Sequence, residues 1–323
     1  MQKSLERLKT LKNIWKLSIT SLFVVFAGAA ICISFSFISP YLIPQMLLLG
    51  ILVGGLYALI GAGLSLIFGV MKIINVAHGA LVILAAFFCY WMWIFGIDPS
   101  LSILGVMVIM AILGVVFQLT LYEKAMKIGI DQPLFVSFGL SIALETLMSL
   151  LWGADIRGVN PPYGKTLQFG SVSVPIMLVI DMVFAIVTLV VLNIILNKTL
   201  IGKALRACSQ DWEATSLMGV NVKTVHSIAF AFGFGIIGIS GSLLSATYAF
   251  DPWSGSLYLI RGLIVTTLAD DKLLNFVFGG MVLGVAEIFG SYFFGGGYRN
   301  VITAFLFIAI LIFRTRGLSW TRR

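Results

Sequence analysis

Between Leu17 and Phe313 the chain is a succession of apolar runs, most of them about twenty residues long, broken by short polar turns. That spacing limits the fold more than any other feature. About twenty helical residues cross the hydrocarbon of a bilayer, and inside it every backbone polar group must find a partner within the protein. Composition points the same way. Of 323 residues 60% are hydrophobic and 11% charged, with a mean hydropathy of +1.07. So few charges cannot cover a soluble core of this size, so lipid must solvate much of the surface. The 33 glycines fit helices that pack closely in a membrane. Cys32, Cys89 and Cys208 fall in no metal or disulfide spacing and read as packing residues.

The net charge of +8 could point to nucleic acid, but its distribution excludes that partner. Lys3, Arg7, Lys9, Lys12 and Lys16 precede the first apolar run, and Arg314, Arg316, Arg322 and Arg323 follow the last. Basic clusters flanking apolar spans mark the cytoplasmic side, so both termini are expected there and the span count is even. The first run has the basic flank of a signal peptide. It is long for one and ends in no small-x-small cleavage site, so it reads as an uncleaved span.

The runs place spans at Leu17 to Ile38, Ile43 to Val70, residues 74 to 94, Leu101 to Leu121, Pro133 to Trp152, Pro175 to Leu196, His226 to Phe250, Leu257 to Leu268, Asn275 to Phe294 and Ile302 to Phe313. The expected fold is an all-α, polytopic transmembrane helical bundle of about ten spans, eight or nine if a short segment is re-entrant. Residues 1–16 form a cytoplasmic basic N-terminus, 17–316 the membrane domain and 317–323 a cytoplasmic C-terminus. Lys124 and Lys127 fall in a short inner loop, and Lys198 to Lys223 (a loop over 198–224) is the longest polar stretch inside the apolar body. In this topology every Lys and Arg lies inside except Arg157, Lys165 and Arg299, with Arg261 in a short span. Two glycine-rich regions, Gly50 to Gly79 and Gly233 to Gly290, start on helices of opposite direction, the arrangement expected of an inverted repeat.

Chemistry-bearing residues are few. Gly158 and Gly164-Lys165-Thr166 mimic the end of a phosphate-binding loop. Five residues separate the glycines instead of four, and Pro161 and Pro162 lie between them. Any ATP that drives transport must therefore bind another subunit. Two histidines, His78 and His226, with no paired acid, thiol or metal cluster, give no catalytic or metal site and imply no cofactor.

In the polar loop, Ser209 is positioned to cap a short helix with Asp211 and Glu213 in its first turn and Gly219 at its end. Trp212, Leu217 and Met218 would form its apolar face, suited to a groove on a partner or to an ordinary amphipathic linker.

Acids within spans cost about 2.5–3.5 kcal/mol each on insertion scales. Asp181 lies near a span end, within reach of headgroups. Glu145 and Glu287 are deeper and must face protein or a water-filled cavity. They would contact a substrate or hydrogen-bond between helices. Asn75 and His78, three apart, would share a helix face beside the inner turn. They either line an inner gate or cap and brace the helix. Asp251, Trp253, Arg157, Lys165 and Arg299 form the outer rim, open to a partner or to solvent.

The run Gly55 to Gly79 (GLYALIGAGLSLIFGVMKIINVAHG) closely resembles the signature of branched-chain amino-acid ABC transporter permeases. Gly202-Lys203-Ala204-Leu205-Arg206-Ala207, followed by Glu213-Ala214 and Met218-Gly219-Val220-Asn221, resembles that family's coupling loop. Phe313-Arg314-Thr315-Arg316-Gly317-Leu318 resembles its C-terminus. The matches extend from about residue 45 to 318.

The resemblance implies a multi-pass permease subunit of the prokaryotic plasma membrane. It would pair with a second permease subunit (as a homodimer or heterodimer), cytoplasmic ABC ATPases and an extracytoplasmic solute-binding protein. Coupling to the ATPase then falls on Arg206, Gln210, Glu213, Ala214 and Gly219. The translocation path falls on Asn75, His78, Glu145 and Glu287. The chain departs from the family at Thr266 to Lys272, where a glycine-rich stretch is usual, and at Thr215, where a second alanine is expected. Urea or a short amide is an alternative cargo within the family. An ion-coupled carrier using Glu145 or Glu287 is an alternative outside it, although such a carrier has no need of the polar loop.

Overall fold

The computed structural model describes residues 42–129, 131–161, 164–170, 172–269 and 273–319. The first apolar run with its basic flank, Cys32, the turn Asp270 to Lys272 and the terminal Arg322 and Arg323 lie outside the described residues. Among the described residues six helices are long and apolar enough to cross a membrane, and three apolar helices are shorter. The chain is a polytopic helical membrane protein.

Helix α1 (Leu42–Met71) is the axis of the bundle. It has 78% of its apolar window buried, a share matched by α9 (Val222–Thr247). The remaining long helices bury far less. They are α3 (Pro99–Phe117), α5 (Gln132–Trp152), α6 (Ile176–Lys198) and α11 (Leu273–Phe294). Their outer faces carry Leu104, Phe138, Leu150, Val187 and Phe278, as a helix in lipid should. α1 ends at Lys72, whose φ of 57° is the left-handed value that closes a helix, with its N–H donating to Phe68 O at 2.8 Å.

Two short helices follow the two central ones. α2 (His78–Ile94) comes after α1, and α10 (Gly255–Ala269) comes after α9. They meet at Gly79 and Gly255, where a Cβ on Gly79 would lie 1.9 Å from the Gly255 carbonyl oxygen. α1 packs along α11 while α9 packs along α3. The latter contact is close as well, since a Cβ on Gly238 would lie 2.8 Å from Met107 Cα. α12 (Arg299–Ser319) completes the fold against α10 and α11.

Three expectations are corrected. The helix through α3 does not stop near Leu121. A π-helical turn, Gln118–Tyr122, absorbs an extra residue and carries it into α4 (Glu123–Ile128). Lys124 and Lys127 are therefore helical, and Lys127 pairs with Glu123 at 3.3 Å in the i,i+4 register. The fold is not wholly α. Before α6 the chain forms an antiparallel hairpin of β1 (Thr166–Phe169) and β2 (Val172–Pro175), turning at Gly170 with φ 61°. Asn75 and His78 do not share a helix face, because α2 begins only at His78.

Candidate functional site

Three polar sites are built into this apolar frame. The first joins α1, α10, α11 and α12 around Glu287, which is fully buried. Its Oε1 accepts from Arg261 Nε at 2.8 Å and Thr303 Oγ1 at 2.5 Å. Its Oε2 accepts from Tyr57 hydroxyl and Arg299 Nε, both at 2.7 Å. Arg299 Nη2 also donates to the hydroxyls of Tyr57 at 2.8 Å and Tyr248 at 3.4 Å. Both guanidiniums lie over aromatic rings, Arg261 5.4 Å from the centroid of Tyr57 and 5.2 Å from Tyr258. The cluster holds two cations against one carboxylate, whose two oxygens each accept two hydrogen bonds. Arg299, expected on the outer rim, is drawn into it.

The second site surrounds the break between α1 and α2. Asn75 Oδ1 accepts from Ala77 N at 3.1 Å and from the Tyr122 hydroxyl at 2.9 Å. Ser137 Oγ on α5 accepts from Val76 N at 3.1 Å. His78 Nε2 donates to Ile60 O of α1 at 2.9 Å, which fixes the tautomer. The N–H groups of Val76 and Ala77 in this non-helical stretch are thus satisfied by side chains. Glu145 joins neither cluster. It is half-buried on α5 and accepts from Ser141 of its own helix at 3.2 Å. The four residues assigned to the path therefore fall in three separate places.

The third site is the polar loop, which folds as α7 (Leu200–Gln210) and α8 (Trp212–Leu217). Thr199 caps α7 through a 3.0 Å bond from Gly202 N, and a Cβ on Gly202 would lie 2.3 Å from Ile195 O, so α7 lies hard against the end of α6. Arg206 Nη1 donates to Leu196 O at 2.6 Å and Asn197 Oδ1 at 2.7 Å, closing the carbonyl end of α6.

Ser209 is not the cap of α8, since it lies within α7 and donates to Arg206 O. Asp211 is the cap, accepting from Ala214 N at 2.9 Å. Thr215, the departure from the family pattern, is buried and donates to Asp211 O at 2.6 Å. Burial pushes the thiol of nearby Cys208 up, although a hydrogen bond with Thr215 opposes this. Gln210, Glu213, Ala214 and Gly219 are exposed. Beside them Leu217 and Met218 are 87% and 84% exposed, and Trp212 is half-exposed. Gly219 ends the unit with φ 83° in open space.

At the opposite end of α6 and α9, two adjoining cavities of about 380 and 310 Å³ share Asn160, Ala246, Thr247 and Tyr248. Asp181 does not reach a headgroup region. It is fully buried beside this place, with Oδ2 accepting from Thr247 Oγ1 at 2.7 Å. Arg157 is likewise held by the protein. Its side chain donates to Tyr90 and Trp152 O, and its backbone pairs with Phe250. Sequence reasoning missed the partnership of Tyr57 with Glu287, since 230 residues separate them and no local pattern marks either.

Buried charges held among close-packed apolar helices, with an exposed capped helix at one end, are the features of a multi-pass helical membrane protein. Residues 46–311 match the family described as "Branched-chain amino acid transport system / permease component", and the chain belongs to that family. It is 26% identical over 290 residues to the high-affinity branched-chain amino acid transport system permease protein BraD of Pseudomonas aeruginosa, covering 85% of this chain and 94% of that protein. It is 25% identical over 293 residues to the corresponding LivH of Escherichia coli, with the same coverage. Among solved structures, PsaBC from Streptococcus pneumoniae in complex with Fab aligns over 88% of this chain and 95% of that one. The identity is 14% and the TM-score 0.45. The chain is a permease of the plasma membrane.

Proposed function

We propose that this chain is the permease subunit of an ABC importer that moves branched-chain or other small neutral amino acids, driven by ATPase subunits that dock on α7 and α8. The observation that carries the cargo is the match to amino-acid permeases over residues 46–311. The exposed apolar tip of Trp212, Leu217 and Met218 supports the docking face. Arg206 and the tight Gly202 contact bind that face to α6, so a push on α8 reaches a membrane helix rather than dissipating in a flexible loop.

The pairing of α1 with α11, mirrored by α9 with α3, supports an inverted repeat in which α1 to α3 correspond to α9 to α11. With the first apolar run counted, this reading has ten spans and cytoplasmic termini. The path runs beside the α1–α2 break at Asn75 and His78. Glu287 braces it from within the protein and carries no cargo. A second permease subunit and a solute-binding protein complete the importer.

The test is ATP-driven uptake into proteoliposomes holding the permease, its ATPases and its binding protein. Leucine, isoleucine or valine should be taken up and should compete with one another, with urea and acetamide as counter-substrates. Uptake confined to the amides would overturn the cargo, and uptake driven by an ion gradient without ATP would overturn the mechanism.

A narrower prediction concerns Gly219. Its left-handed backbone in open space means that Gly219→Val is strained at no cost in packing. Glu213→Arg reverses the charge in the first turn of α8. Either should reduce ATPase co-purification and uptake together by about tenfold, equivalent to about 1.4 kcal/mol, while the permease inserts normally. Full ATPase binding in both variants would remove the docking role.

A further inference from the structure

α4 lies between two side chains that hold the break between α1 and α2 from outside. Tyr122, the last residue of the π turn, donates its hydroxyl to Asn75 Oδ1 at 2.9 Å. Ser137, in the second turn of α5, accepts from Val76 N at 3.1 Å. α4 follows the first clamp directly and leads through residues 129–131 into the helix that carries the second. Both clamps are fully buried. A displacement of α4 is therefore felt at both, and through them at Asn75 and Val76.

On its other side α4 meets the coupling unit. Lys223 Nζ pairs with Glu123, the first residue of α4, at 2.9 Å. Lys223 is the second residue of α9 and closely follows Gly219, which ends α8. Asn221 caps α9 by accepting from Thr224 N at 3.2 Å, so the link from α8 is short and shaped rather than slack. Alone, the ion pair contributes little, because Lys223 is 56% exposed. Two turns along the same face of α9, Phe230 meets the Tyr122 ring at 4.8 Å between centroids, and both residues are fully buried. The first turns of α9 thus grip the head of α4 by a surface charge pair and a core ring contact.

The π turn supplies the joint. Such insertions occur frequently at functional sites. Gln118 opens this one, fully buried, and neither end of its amide meets a protein partner. At the break, Asn75 Nδ2 is likewise unpartnered. Bonding capacity left unmet at both joint and break favours a second arrangement that uses it, which is what a two-state element requires. We propose that α4 is a lever, hinged at Gln118–Tyr122, that carries movement of the α8–α9 corner to the α1–α2 break. Lys223 and Phe230 move the lever, and Tyr122 and Ser137 are positioning residues that hold or release Asn75 and Val76. The assignment rests on reading α7 and α8 as the ATPase docking face. It adds a second route into the membrane beside the contact of Arg206 with α6.

The test is the ratio of ATP hydrolysed to leucine taken up, measured with the complete importer in proteoliposomes. Tyr122→Phe keeps the ring contact with Phe230 and deletes the bond to Asn75. It should raise the ratio by about fivefold, the factor equivalent to one neutral hydrogen bond. Lys223→Glu lies on the surface, where folding is not at stake, and should raise the ratio by about threefold. Adding Glu123→Lys to it should return the ratio toward the wild-type value. A residue that merely braces the bundle would lower uptake and hydrolysis together and leave their ratio unchanged. A wild-type ratio in either single variant would overturn the lever. So would a charge-swapped double variant no better coupled than Lys223→Glu alone.

Failure of the lever is distinguishable from failure of the docking reading. ATP-driven uptake in the wild type, with unshifted ratios in the variants, sinks the lever and leaves the importer standing. Absence of ATP-driven uptake in the wild type, or full ATPase binding by Gly219→Val and Glu213→Arg, sinks both.

Discussion

Glu287→Gln is expected to lower the thermal midpoint of the purified permease by about 10 °C and to cut its yield in the membrane severely. The carboxylate is fully buried and accepts four hydrogen bonds, two of them from guanidiniums. Neutralising it leaves Arg261 and Arg299 facing each other in the bundle with no anion between them. Breaking a buried pair by removing one partner costs about 3–5 kcal/mol, because the surviving charge stays desolvated. Each kcal/mol shifts the midpoint of a chain this size by about 2–4 °C.

A second variant separates charge from shape. Replacing the triad together (Glu287→Leu, Arg261→Met and Arg299→Met) removes every charge of the cluster and should recover most of the lost stability. The measurement is tryptophan fluorescence or size-exclusion thermostability in one detergent. A wild-type midpoint in Glu287→Gln would mean that the cluster does not hold α1, α10, α11 and α12 together.

How much of this was legible in the sequence depends on the range of the interaction. The helices were legible because their signal is local. Val222–Thr247 and Leu273–Phe294 lie within a few residues of the boundaries that apolar runs and turn residues predict. The coupling unit was legible for the same reason, except that Ser209 and Asp211 both suit a cap. Only the backbone shows which one leaves the helix, and Asp211 does, at φ −156°.

The long-range facts were not legible. Composition says that a buried Glu287 needs a partner but cannot choose among Arg157, Arg261 and Arg299. Asp181 was misplaced because position within a run measures depth along one helix and says nothing of burial by its neighbours. The π turn at Gln118–Tyr122 has no sequence signature and is visible only as a phase shift of the helix. The 33 glycines were legible as a sign of close helix packing, yet their partners were not, because a glycine carries no mark of what it admits.

Those partners support the second large effect. Gly280→Leu should leave almost no folded permease, and Gly280→Ala should already lower stability by about 1–3 kcal/mol. A Cβ on Gly280 would lie 2.1 Å from Gly54 O and 2.9 Å from Ala58 N, and one on Gly284 would lie 2.2 Å from Gly50 O. The contacts are reciprocal, since a Cβ on Gly54 would lie 2.4 Å from Met281 N. Gly50 faces Gly284 and Gly54 faces Gly280, so α1 and α11 run antiparallel with their backbones touching through two small-xxx-small faces. Every obstructing atom here is backbone, so no rotamer change relieves the clash and the helices must part.

In lipid no hydrophobic force draws them back, because hydrocarbon tails solvate a separated helix as well as a packed one. Gly139→Ala, on α5 with nothing within 4 Å, is the matched control and should be neutral or slightly stabilising. The same glycine contact sets the distance at which Tyr57 reaches Glu287, since Tyr57 lies three residues beyond Gly54 and Glu287 three beyond Gly284. Parting the helices should therefore loosen the ionic cluster too, and the double variant Gly280→Ala with Glu287→Gln should cost less than the sum of its parts. Strict additivity would show that glycine packing and charge compensation stabilise the bundle independently. A shortfall of 1 kcal/mol or more would show that close approach of α1 and α11 is what makes the buried charges tolerable.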